Sequence, residues 1–252
     1  MTRIIIFGDL HANWEALLAL QQAEPAPDAV FCLGDVVGYG PDPKGCLDAV
    51  RASVPHVIGG WHDRAVGGPA SAAGQPALGS PACPGGQAGG GDEGELLEAT
   101  WAHTRSMLSA ADRGYLAGLP AELTLEVAGA RFHLTRLAPD GLETETRMLI
   151  TMPQARLREL FGHVQADFIL LGGPHVPALR QVDGRLIVCP GSLGLPRYGV
   201  PDPTFAAWQD GRVQVHHLHY HPEDTVHKLS LLPLAPEHVL RLQSILRTGG
   251  LE

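Results

Sequence analysis

The residues from Arg3 to Leu20 leave this chain little choice but a strand, a glycine turn and a helix, in that order. Ile4-Ile5-Ile6-Phe7 is β-branched and aromatic and too short for a helix, so it reads as a buried strand. Gly8-Asp9-Leu10-His11-Ala12-Asn13 follows, and then an apolar-periodic run from Trp14 to Leu20. Asp9 and His11 therefore sit just past the carboxyl end of a strand, the edge at which open α/β sheets bind ligands. A carboxylate and an imidazole two residues apart can reach one divalent ion together, because an extended turn sends alternate side chains the same way. Taken alone, the pair is equally well explained as a solvated loop with an Asp N-cap.

The same device recurs. Ala29 to Leu33 reads as a second strand and ends in Gly34-Asp35-Val36-Val37-Gly38-Tyr39-Gly40-Pro41. Parallel strands joined by a helix deliver their turns to one sheet edge, since the hand of the crossover is nearly fixed, so Asp9 and Asp35 converge. A helix from Pro43 to Val50 is expected next, with Asp42 as its N-cap. A third strand, His56-Val57-Ile58, ends in Gly59-Gly60-Trp61-His62-Asp63-Arg64. Three successive strands that each deliver Asp or His after a glycine mark a site.

The remainder has a different rhythm. Residues 66–94 are crowded with Gly, Ala and Pro and read as a flexible insertion. Helices from Glu95 to Met107 and from Ser109 follow. Ala128-Gly129, Asp183-Gly184 and Asp210-Gly211 each join two strand-like runs and predict hairpins. His133 lies on the second strand of the first hairpin, and Asp167 to Leu171 runs into Gly172-Gly173-Pro174-His175. A surface helix is expected from Pro236 to Arg247. This order, βαβαβ, then helices, then a strand-rich half, predicts a β-sandwich with helices outside.

Composition narrows the function classes. The chain has 252 residues, 44% of them hydrophobic, and a net charge of −9, with no Lys/Arg run. A core-forming chain without a nucleic-acid footprint is expected. The four cysteines are scattered, which excludes a disulfide framework or zinc ribbon. No leader segment and no membrane span are read, so the expected compartment is cytoplasmic, with no membrane partner. His217, His219 and His221 would share one face of a strand by alternation, and a solvated edge explains them.

The three Gly-Asp/His turns, together with the strand carrying His133, the turn at His175 and Pro190-Gly191-Ser192, resemble the ordered motifs of calcineurin-like metallophosphoesterases. The closest likeness is to small bacterial and archaeal phosphodiesterase-like members, over about Arg3 to Tyr220. The resemblance implies one α/β (α+β) domain spanning 1–252: a four-layer αββα sandwich of two mixed β-sheets flanked by helices. It implies a first metal held by Asp9, His11, Asp35 and His175, with Asp35 bridging to a second metal that also takes His133. It implies that His62 protonates the leaving oxygen and that Asp63 orients it. Asn13 and Tyr39, beside the metal turns, are substrate-adjacent or turn-packing residues.

The chain departs from the family at two ligand positions. Trp61 stands where the family has an Asn ligand, and an indole has only an N–H donor. Gly173 stands where the family has a His. One divalent ion rather than two is therefore expected, among Mn, Fe, Zn and Co, with the bulk of Trp61 filling the vacated space. The expected activity is hydrolysis of a phosphodiester or a nucleotide-type phosphoanhydride, so the expected partner is a phosphate-ester small molecule or nucleotide. The rival expectation is a catalytically degenerate fold kept as a ligand-binding or regulatory module.

Overall fold

A computed structural model of the chain describes residues 1–68, 92–136 and 149–250. Most of the expected 66–94 insertion lies outside the described residues. Its two ends belong to helices, since α3 spans Trp61–Gly67 and α4 spans Asp92–Met107.

Ten strands form two mixed five-stranded sheets. The first has the order β10-β9-β1-β2-β3 and the second β4-β5-β6-β8-β7. In the first sheet β1 (Arg3–Phe7) pairs in parallel with β2 (Ala29–Cys32), and β2 with β3 (His56–Val57). β9 (Thr204–Gln209) runs antiparallel to β1 and carries β10 (Arg212–His217) at the edge. In the second sheet β4 (Leu123–Val127), β5 (Ala130–Thr135) and β6 (Phe168–Leu171) are followed by β8 (Arg185–Pro190) and β7 (Pro177–Val182).

Strand alternation builds the layers. Ile4 and Ile6 point into the space between the sheets and meet Phe132, Leu134, Phe168 and Leu170. Ile5 and Phe7 point the other way, onto α1 (Trp14–Ala23), α2 (Pro43–Ser53) and α4. Helix α5 (Ala110–Ala117) seats Leu116 in this same core, as do α7 (Glu223–Leu229) and α8 (Pro236–Thr248) with Val226, Leu242 and Ile245. On the far side Leu157, Leu160 and Phe161 of α6 (Gln154–Phe161) cover Ile169, Leu171 and Ile187. The result is the αββα sandwich. Each fully buried Ile or Phe in these layers contributes about 1.5–3 kcal/mol.

The hairpin turns have the expected chemistry. Ala128-Gly129, Asp183-Gly184 and Asp210-Gly211 all have positive φ at both positions, the mirror-image turn that suits twisted antiparallel strands. The C-terminal helix is not merely superficial, because Leu242, Ile245 and Leu246 bury one of its faces. The His-rich stretch behaves as a solvated edge: β10 ends at His217, and the side chain of His219 is 90% exposed. Among the described residues no helix is long and apolar enough to cross a membrane.

Candidate metal centre

The turns after β1 and β2 are laced together past the ends of their strands. Asp9 N donates to Gly34 O, His11 N to Asp35 O and Ala12 N to Val36 O, each at 2.9 Å. The turn after β8 closes on them, with Ser192 Oγ donating to Asp9 O at 2.8 Å. Asp9, His11, Asp35 and His175 all have φ between 47° and 58°. L-residues adopt this left-handed backbone at about 1–2 kcal/mol each, and such strain gathers where side-chain aim matters more than stability. Gly60 admits the approach of α3, because a Cβ there would lie 2.1 Å from Asp35 Oδ1.

Five of the expected site residues come together in the core of this edge. Ligand-capable atoms of Asp9, His11 and His175 lie within 4.8 Å of one another, as do those of His11, Asp35 and His62. His175 Nδ1 lies 2.7 Å from the carbonyl oxygen of Leu195, so it carries the proton and leaves Nε2 as a lone pair. That Nε2 faces His11 Nε2 at 3.2 Å, beside Asp9 Oδ1 at 3.6 Å. Burial pushes the His11 ring well below the usual imidazole range and His175 down to about 4. Neutral imidazoles converging beside a carboxylate, with His175 anchored on the Leu195 carbonyl, are what a divalent ion takes as ligands. Asp9, His11 and His175 therefore fit an ion, and Asp35 lies with His11 and His62 in the adjoining group.

The second-metal residues do not fit an ion. His133 is set apart: it pairs with Thr124 Oγ1 at 2.8 Å and lies 3.7 Å from Glu122. The reason is parity. Phe132 and Leu134 face the inter-sheet core, so His133 faces away from it. β5 also runs on to Thr135, so the residue that leaves this strand at the sheet edge is Arg136. Its Nη2 donates to Asp9 Oδ1 at 2.8 Å and to Asp35 Oδ2, and its Nη1 donates to Leu33 O at 2.8 Å. Arg136, not Trp61, enters the space between the two carboxylates. Trp61 sits edge-on to Trp101 at 4.7 Å and to His62 at 5.1 Å. Gly173 contributes its backbone N–H, 3.0 Å from Asp9 Oδ2.

Two further expectations are corrected. Asp63 does not orient His62. Its Oδ1 accepts from Val36 N and Val37 N, at 2.9 and 3.2 Å, and its Oδ2 from Gly60 N at 2.9 Å. It clamps the second turn to the start of α3. His62 is instead held by Trp101, whose Nε1 donates to His62 Nδ1 at 3.0 Å. An indole N–H only donates, so Nδ1 accepts and the ring is neutral with its proton on Nε2. Burial likewise pushes His62 well below its ordinary value.

Asn13 is a structural cap. Its Oδ1 accepts from Ala16 N, and its Nδ2 donates to Gly194 O and Tyr220 Oη. Tyr39 does lie at the site, 5.1 Å from the His11 ring and 4.6 Å from His62, with the Arg197 guanidinium 5.4 Å over its face. Arg136, Trp101 and Arg197 were missed from sequence. Arg136 had a signal, its place one residue past a strand end. Trp101 joins the site from α4, 39 residues after His62, and nothing local marks it.

Known proteins share this fold. Residues 2–209 match the calcineurin-like phosphoesterase superfamily domain, and the chain belongs to that superfamily, whose members hold divalent metals and are usually phosphoesterases. A metallophosphoesterase from Sphaerobacter thermophilus is 25% identical, with a TM-score of 0.72 over 96% of this chain and 98% of that one. A hypothetical protein from Pyrococcus horikoshii OT3 has the same fold, with 21% identity and a TM-score of 0.76 over 99% of each chain. An uncharacterized protein of Methanocaldococcus jannaschii is 22% identical over 236 residues, covering 86% of this chain and 87% of that protein.

Proposed function

We propose that the protein is a metal-dependent phosphoesterase that works with one divalent ion held by Asp9, His11, Asp35 and His175. The supporting observation is the anchored His175 ring, whose Nε2 lone pair meets His11 Nε2 at 3.2 Å, a contact that an ion would replace by taking both rings as ligands. When bound, such an ion supplies an activated water and polarises a phosphoryl oxygen.

The chain's own residues do the rest. Arg197, at the rim, offers a guanidinium to the phosphate and is braced on Tyr39. His62, with its proton on Nε2, offers a hydrogen bond to the departing oxygen. Because Trp101 occupies Nδ1, His62 is not an imidazolium and does not hand over a full proton. Such a site suits a leaving group that is already a stable anion. Between a phosphodiester with an alkoxide leaving group and a nucleotide-type phosphoanhydride, the anhydride fits better.

The test is hydrolysis by the Mn-loaded protein of a nucleotide phosphoanhydride, an aryl phosphodiester and an alkyl phosphodiester. The anhydride and aryl substrates are expected to turn over and the alkyl one to lag by orders of magnitude. Equal rates on all three would contradict the role given to His62. A second reading, a regulatory or ligand-binding module, draws on the pairing of Arg136 with both carboxylates. It would be favoured by tight nucleotide binding with no turnover on any of the three.

A further inference from the structure

Asp9 and Asp35 are 0% and 2% exposed, and their side chains share the guanidinium of Arg136. Two buried carboxylates side by side repel each other and lose their hydration, so they need a cation between them. In a two-metal site that cation would be an ion. Here it is covalently part of the chain. A guanidinium stays charged at every working pH and has no lone pair to offer a metal.

The neighbouring positions agree with this exchange. Leu33 O holds the second arm of the guanidinium. A Cβ at Gly173 would lie 3.5 Å from Arg136 Nη2, already in van der Waals contact with the guanidinium. Gly173 also has a φ of +110°, a conformation that side chains rarely adopt. Trp61, at the remaining family position, has turned onto Trp101. The two departures from the family's ligand set, Trp61 and Gly173, and the arginine at the strand end are thus read as one change: a cation is built in, and the side chains that would compete with it are absent.

We propose that Arg136 is the protein's resident cation in the place of the second metal ion, offsetting one of the two charges of Asp9 and Asp35 in the folded chain and limiting the site to one divalent ion. The charges support the count. With both carboxylates ionised, as ion binding requires, Asp9, Asp35 and Arg136 sum to −1, which one divalent ion turns to +1, whereas a second ion would leave the buried site at +3. The inference rests on the metal-holding part of the function proposed above and not on hydrolysis.

The experiment counts ions in metal-free protein titrated with Mn²⁺, by native mass spectrometry and by the electron paramagnetic resonance signal. Wild type is expected to take one ion and give an uncoupled Mn²⁺ spectrum. Arg136→Gln removes the opposing charge and is expected to bind Mn²⁺ about tenfold tighter or more. The metal-free Arg136→Gln protein should melt well below metal-free wild type, with most of the loss restored by Mn²⁺. Arg136→Lys keeps the charge and should melt near wild type. Two ions in wild type, a coupled spectrum, or an Arg136→Gln protein with unchanged affinity and melting would overturn the proposal. If Arg136→Gln fails to fold at all, the wild-type ion count decides. None of these readouts needs turnover, so an inactive protein would refute the phosphoesterase function and leave this inference standing.

Discussion

Replacing Asp63 with alanine separates a clamp from a catalytic residue. The carboxylate is fully buried and accepts from three backbone amides, Val36 N, Val37 N and Gly60 N. Alanine would leave all three donors without an acceptor. Each buried, unsatisfied donor costs about 1–3 kcal/mol, so the sum is about 3–9 kcal/mol before relaxation. Water entering the space left by the carboxylate offsets part of that, and about 3–5 kcal/mol is expected to remain. For a chain of this length that lowers the melting temperature by roughly 6–20 °C. Asp63→Asn keeps an oxygen for one set of amides and should lose about half as much. The assay is urea and thermal unfolding followed by circular dichroism. An Asp63→Ala protein with wild-type stability and lost turnover would refute the reasoning and return Asp63 to the role of orienting His62.

Three more outcomes are expected. Trp101→Phe removes the N–H that fixes His62, a bond worth about 1 kcal/mol, so ¹⁵N spectra should show the Nε2–H tautomer in wild type and a mixture in the variant; an Nδ1–H ring in wild type would sink the assignment. Burial lowers His11 and His62 and takes His175 down to about 4, so in metal-free protein all three rings should stay neutral as pH falls from 7 to 5.5. A histidine of ordinary pKa 6.5 would by then be about nine-tenths protonated, and an NMR titration in which any of the three did so would contradict their burial. Asn13→Ala strips the cap of α1 and strands Gly194 O, while Thr225 Oγ1 keeps Glu15 as its acceptor, so urea unfolding should register a loss of about 2–4 kcal/mol, against a few tenths if Asn13 merely faced substrate.

Much of the frame was legible because it rests on short-range rules. β4, β5 and β9 flank the two-residue turns expected from turn chemistry, and the three turns have the backbone that Gly and Asp favour. Asp9 and Asp35 converge because a right-handed crossover leaves two parallel strands no other arrangement. The expected site failed where parity or distance decided. His133 carries the right chemistry one register off the right face. Arg136 looks like any arginine after a strand until Asp9 and Asp35 are seen on either side of it. Asp63 stands next to His62 in sequence, yet its side chain turns back to the amides of the preceding turn, and the contact with His62 comes from Trp101. Sequence adjacency is a poor guide to which group holds a catalytic ring, because the partner need only be close in space.

The most direct measurement is turnover of a chromogenic phosphodiester with an aryl leaving group as Mn²⁺ is added stepwise to metal-free protein. Activity should rise to its plateau at one equivalent, and Asp9→Asn should lose both the ion and the activity. Activity that appears only with a second equivalent, or that survives in Asp9→Asn, would contradict a one-ion site built on Asp9, His11, Asp35 and His175.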